Sequence, residues 1–178
     1  MSDVQPWLRV YDWLPLEEAS LSPGYRSWLS ECGSMTARCE RHCRRFTVHL
    51  QREAFIARDE LSEELTQLPD CAHYWLREVT LCGDGVPWIQ GRTLVPETSL
   101  SGEMRTLMSL GTVPLGRFLF STDTLARDYI QVGVQDETLW ARRSRLRLEG
   151  KPLLLTELFL ADAPMYVETN DFLGCGNV

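Results

Sequence analysis

From Phe46 onward, short runs rich in β-branched, aromatic and leucine residues are cut at intervals by glycine-bearing turns, and that spacing points to an antiparallel sheet. Six runs are predicted to be strands, at 46–56, 73–82, 86–95, 125–134, 139–148 and 152–160. Gly83-Asp84-Gly85 and Glu149-Gly150-Lys151 are tight enough to close hairpins between the second and third strands and between the fifth and sixth. The chain before Phe46 reads as helical. Ser22-Pro23 places a cap and a first-turn proline ahead of Tyr25, Trp28 and Leu29, and a shorter helix follows from Ser34. Residues 101–110 also have helical spacing, with Gly111 and Pro114 to end it. The expected fold is α+β, a single domain over residues 1–178 with a six-stranded, mainly antiparallel sheet. A hydrophobic content of 44% over 178 residues supplies one proper core. The polar, glycine-bearing tail at 167–178 is expected to be poorly ordered.

Side chains alternate along a strand, so Trp75, Arg77, Val79 and Leu81 share one face of the second strand. In the last strand Leu153, Leu155, Glu157 and Phe159 share a face in the same way. Arg77 and Glu157 are thus charges in apolar rows. A buried charge costs several kcal/mol unless it is paired or hydrogen-bonded. Either the two pair with each other or with neighbours, or they line a pocket for a polar ligand, and periodicity alone weighs these about evenly.

Other features exclude function classes. The formal charge of −7 argues against general nucleic-acid binding, which depends on cations meeting phosphates. Of 18 basic residues only Lys151 is a lysine, and it sits in a turn, which removes Schiff-base and pyridoxal phosphate chemistry. Cys39 and Cys43 flank His42 without a second close pair, so no metal site is expected, and the six cysteines are read as free thiols. The longest apolar stretch, at 152–160, is far short of a membrane span, and no secretory signal opens the chain, so a cytoplasmic protein without membrane insertion is expected. Arg143, Arg145 and Arg147 alternate and fit the solvated outer face of a strand. Gly91 lies inside a strand, as a bulge or as a place where a ligand nears the backbone.

Several strings are recognisable together: Ser34-Met35-Thr36, Tyr74-Trp75-Leu76-Arg77-Glu78, Gly91-Arg92-Thr93, Pro114-Leu115-Gly116-Arg117, and the long stretch from Arg142-Arg143-Ser144-Arg145 through Leu155-Thr156-Glu157-Leu158-Phe159. In order and spacing, over about 22–164, the chain resembles the bacterial chorismate pyruvate-lyases, departing from them at 7–16, around Cys39 and beyond Tyr166. That resemblance implies an internal site under two helical flaps. It implies a cofactor-free lyase that cuts chorismate into 4-hydroxybenzoate and pyruvate on the way to the ubiquinone head group. An enclosed site that grips an aromatic carboxylate also grips its product, so product inhibition is expected. Arg77 would hold the ring carboxylate and Glu157 would meet the ring hydroxyl. Met35 and Leu115, on the flaps, would add backbone contacts. Arg92, Arg117 and Arg127 stand unranked as partners for the second carboxylate. The oligomeric state is not readable, a monomer being the default. The alternative is a non-catalytic module of the same fold that binds aromatic acids, as in the effector domains of transcription regulators.

Overall fold

The computed structural model describes residues 12–167; apart from Val167, the tail expected to be poorly ordered lies outside the described residues. Seven strands form one antiparallel sheet: β1 (Leu14–Pro15), β2 (Phe46–Ala57), β3 (His73–Gly83), β4 (Val86–Pro96), β5 (Leu125–Gln135), β6 (Leu139–Leu148) and β7 (Lys151–Phe159), in the order β1-β5-β6-β7-β4-β3-β2. The six predicted strands are all present within one residue of their expected limits. The seventh, β1, is two residues that pair with Val132 and Gln131 at the sheet edge, too short to leave any periodic signal.

Both hairpin turns close as the glycines suggested. Asp84 and Gly85 have φ of 49° and 82°, and Glu149 and Gly150 have φ of 51° and 76°. Two successive left-handed residues give the type I′ turn, whose twist suits a two-residue hairpin. The strands therefore form two three-stranded meanders, β2-β3-β4 and β5-β6-β7, joined along a single seam between β4 and β7.

Two connections fold over one face of the sheet. The first carries α1 (Pro23–Leu29) and α2 (Met35–Glu40), capped as predicted: Ser22 Oγ accepts from the Tyr25 N–H at 3.4 Å and Ser34 Oγ from the Ala37 N–H at 3.2 Å. Its Trp28, Leu29, Met35 and Cys39 pack with Val48, Leu81, Ile89 and Phe159 of the sheet. The second connection carries residues Gly102–Ser109 and α3 (Leu115–Leu119). The helix predicted at 101–110 is a 3₁₀ helix. Met104, Leu107 and Leu110 recur every third residue, the period of a 3₁₀ turn, and bury themselves against Trp75, Val95 and Leu153. The two flap cores are separate, and the gap between them lies over the middle of the sheet.

Among the described residues the opposite face is covered in part by the segment after β2, whose Leu61 and Leu68 pack on Tyr74, Leu76, Leu94 and Leu154, and by Trp13, which packs on Ala141 and Leu158. No helix among the described residues is long and apolar enough to cross a membrane.

Candidate active site

Register brings the two charges picked out by alternation onto one face. Arg77 pairs with Thr93 and Thr93 with Leu155; one step along, Val79 pairs with Gly91 and Gly91 with Glu157. Arg77 and Glu157 are thus one intervening strand and a two-residue offset apart, about 12 Å between backbones for ordinary strand spacing and rise. They do not touch. Both line one cavity, floored by Arg77, Val79, Gly91, Thr93, Leu155 and Glu157 and roofed by Met35 and Thr36 of the first flap and Leu115, Gly116, Leu119 and Phe120 at the second. All four residues singled out in the sequence, Met35, Arg77, Leu115 and Glu157, meet here.

Arg77 is 2% exposed and enters from β3. Its Nη2 donates to the carbonyl oxygens of Gly111 and Val113, at 2.8 and 3.3 Å, which ties it to the loop leading into α3. Its Nη1 is buried with no hydrogen-bond partner among the described residues. Burial pushes the Arg77 pKa down, and neighbouring Glu53, its register partner on β2, pulls it partly back. An unmatched buried donor on a cation costs more than a neutral one, and a bound anion removes that cost.

Glu157 is 5% exposed and is paired with Arg142 of β6, which sequence reasoning passed over. Arg142 Nε donates to Glu157 Oε2 at 2.5 Å, and its Nη1 donates to the carbonyls of Glu31 at 2.7 Å and Leu29 at 3.4 Å. It therefore anchors the turn between α1 and α2 to the cavity floor. The signal was present: Arg142 has the parity of Leu146 and Leu148, the inward face, but it sits in an arginine-rich run where the opposite parity drew attention. Behind the pair, burial and then Glu157 push the Cys39 thiol up to about 12. Cys39 is a packed core residue, and no group of three metal-ligating side chains occurs among the described residues.

The flaps meet over the cavity. A β-carbon at Gly116 would stand 2.7 Å from Thr36 Oγ1 and 2.9 Å from Ser34 Oγ, so glycine there permits the close approach of α3 to α2. Arg117 of α3 forms an ion pair with Glu40 of α2 across the same joint. Gly91 is not at a register shift, and a β-carbon there would lie 3.2 Å from Val79 Cγ2 on the cavity floor. The glycine keeps that floor flat.

The three arginines left unranked by sequence separate clearly. Arg92 lies on the opposite face, bound by Glu78 and by both oxygens of Glu64 at 2.9 and 3.1 Å. Arg117 is spent on Glu40, and only Arg127 lines the cavity. The stripe at Arg143, Arg145 and Arg147 is not a bare solvated face. Arg143 is 2% exposed, bonded to Gln131 and Glu63 and stacked on Trp13, while Arg145 and Arg147 share Asp128.

A family model described as chorismate lyase matches residues 7–170, extending beyond the region that the motifs covered and over the 7–16 stretch expected to depart. A chorismate pyruvate-lyase of Yersinia enterocolitica is 57% identical over 159 residues, 89% of this chain and 94% of the relative. One from Serratia proteamaculans is 57% identical over 87% of this chain and 88% of its own length. Among solved structures, PhnF from Mycobacterium smegmatis superposes with a TM-score of 0.50 at 14% identity, over 74% of this chain and 65% of that one, which is a likeness of fold.

Proposed function

The chain belongs to the chorismate lyase family, and on that premise we propose that it converts chorismate into 4-hydroxybenzoate and pyruvate, supplying the precursor of the ubiquinone head group. One observation carries the assignment of roles: a cavity between two flaps holds a guanidinium whose Nη1 is buried and unmatched among the described residues, with a carboxylate on the same face across one strand. The ring carboxylate takes that Nη1 through a charge-assisted hydrogen bond. Met35 and Leu115, which line the cavity, are each the first residue of a flap helix, so their backbone N–H groups have no partner within their own helices and are left to meet the ligand. Oε2 of Glu157 is held by Arg142, which leaves Oε1 for the ring hydroxyl.

The chemistry then asks mainly for confinement. The ether oxygen and the hydrogen on the hydroxyl-bearing carbon lie on the same side of the ring. In a cyclic six-centre step that hydrogen passes to the vinyl carbon, the ring carbon–oxygen bond breaks, a carbonyl forms, and the ring becomes aromatic. Pyruvate leaves with the hydrogen in its methyl group, and no oxidant, metal or protein base is consumed. Holding the ether in the reactive conformation supplies several kcal/mol of the barrier. Glu157 orients the hydroxyl. The same grip on a ring carboxylate and a hydroxyl retains the product, so flap opening limits release.

The five described cysteines, Cys32, Cys39, Cys43, Cys71 and Cys82, are free thiols, which supports the cytoplasmic setting that belongs to this proposal, together with a monomeric state. The alternative of a non-catalytic binding module draws only on a likeness of fold. Incubation with chorismate deuterated at the hydroxyl-bearing ring carbon tests the reading. Pyruvate with deuterium in its methyl group is expected, in equal amount with 4-hydroxybenzoate. Absence of pyruvate removes the function, and complete loss of the label to solvent removes the cyclic step and makes Glu157 a base.

A further inference from the structure

Among the described residues, three arginines and one glutamate line the cavity: Arg77, Arg127, Arg142 and Glu157. Arg142 and Glu157 neutralise each other at 2.5 Å, and the other end of Arg142 is held by two backbone carbonyls. Two cations remain. Arg77 presents an unmatched Nη1. Arg127, from β5, has its Nη1 on Ser144 Oγ at 2.6 Å and no carboxylate within ion-pair distance among the described residues. Burial lowers its pKa and Arg142 lowers it further, while Glu157, Cys32 and Glu31 pull it only partly back.

The position of Arg127 adds an independent observation. Arg127 and Phe120 line the enclosed cavity and also a second, more open one, bounded by Cys32, Thr122, Leu125, Ala126 and Leu146. Arg127 therefore borders both spaces. Chorismate is a dianion with one carboxylate on the ring and one on the enolpyruvyl arm. With the ring carboxylate on Arg77 and the hydroxyl at Glu157, the arm leaves the ring from the carbon next to the hydroxyl, and Arg142 and Arg127 are the remaining arginines that line the cavity there.

We propose that Arg127 is the second anion-binding residue of the site, holding the enolpyruvyl carboxylate at the junction of the two cavities, and that the outer cavity is the way out for pyruvate. This rests on the lyase reading above and deepens it. When the carbon–oxygen bond breaks, the carboxylate stays on Arg127 with the pyruvate. 4-Hydroxybenzoate has no second carboxylate and does not use Arg127, so this residue separates substrate from product where Arg77 does not.

The test compares turnover of chorismate with equilibrium binding of 4-hydroxybenzoate in the full chain and in Arg127→Met, Arg127→Lys and Ser144→Ala. Arg127→Met is expected to lower kcat/KM at least about 30-fold, the lower end for truncating one partner of a desolvated charge pair, while the Kd of 4-hydroxybenzoate moves less than about threefold. Arg127→Lys should recover part of the loss, because the charge returns without the fork. Ser144→Ala keeps the charge but frees its anchor, and should raise KM severalfold with product binding unchanged. Equal loss of chorismate turnover and product binding in Arg127→Met and Ser144→Ala would reduce Arg127 to a structural support and overturn the proposal. Turnover within threefold of wild type in Arg127→Met would overturn it too. A wild-type chain that releases no pyruvate from chorismate removes the lyase reading, and this proposal with it.

Discussion

On the outer face of the sheet Arg92 reaches Glu78 and Glu64, Arg143 reaches Gln131 and Glu63, and Arg145 and Arg147 share Asp128. On the inner face Arg77 ends on two loop carbonyls with one nitrogen unmatched, and Arg127 has a single hydroxyl. Burial does not separate the two sets, since Arg77 and Arg143 are each 2% exposed. Completion does. Outer arginines find their counter-charges within the chain and hold the sheet to its connections, whereas Arg77 and Arg127 on the inner face are left short where a ligand would complete them.

Replacing Arg77 puts that contrast under the greatest strain. In Arg77→Met, kcat/KM on chorismate should fall by about two to three orders of magnitude, the effect of removing one partner of a buried charged contact. Stability in urea should stay within about 1 kcal/mol of wild type, because the lost carbonyl contacts are offset by removing a desolvated cation. A variant that unfolds readily would place Arg77 with the outer set.

Arg142 is the inner arginine that is complete, and it should behave like a structural one. Arg142→Met leaves Glu157 buried without its partner and should cost about 3 kcal/mol of unfolding free energy. Adding Glu157→Gln should recover part of that stability without recovering activity. A single variant as stable as wild type would mean that the pair is not committed to the fold.

The smallest effect belongs to Asp128. Partial burial raises its pKa, but hydrogen bonds from Arg145 and Arg147 more than offset this and leave it below 3.8. A carboxyl depressed in the folded state stabilises it above the unfolded pKa, and that contribution fades as pH falls through the folded value. Asp128→Asn should therefore unfold more easily than wild type at pH 7 by a few tenths of a kcal/mol, with the gap narrowing below about pH 4. A gap constant with pH would show that Asp128 acts through packing or hydrogen bonding rather than charge.

Strands and hairpins were legible because they depend on near neighbours: alternation set the faces, and glycine at two left-handed positions set the turns. Arg77 and Glu157 stood out by the same alternation. What joins them was not legible. Their convergence depends on β7 docking beside β4, a pairing between residues 60 to 70 apart in the chain, and no local pattern encodes it. The outer arginines were read as solvated because alternation identifies a face without revealing that the segment after β2 lies across part of it. Arg142 was hidden by its neighbours. The stretch at 101–110 shows its apolar spacing clearly, but over ten residues a period of three resembles that of a full helix.

The seam between the two meanders has one more consequence. Arg77 belongs to the first meander, Glu157, Arg142 and Arg127 to the second, and the β4–β7 edge brings them to one cavity. During refolding each half can close its own hairpins early, yet recognition of a ligand must wait for the slow, long-range zipping of the halves. A small molecule that spans that edge also acts as a rivet: by mass action it draws the population toward the joined form.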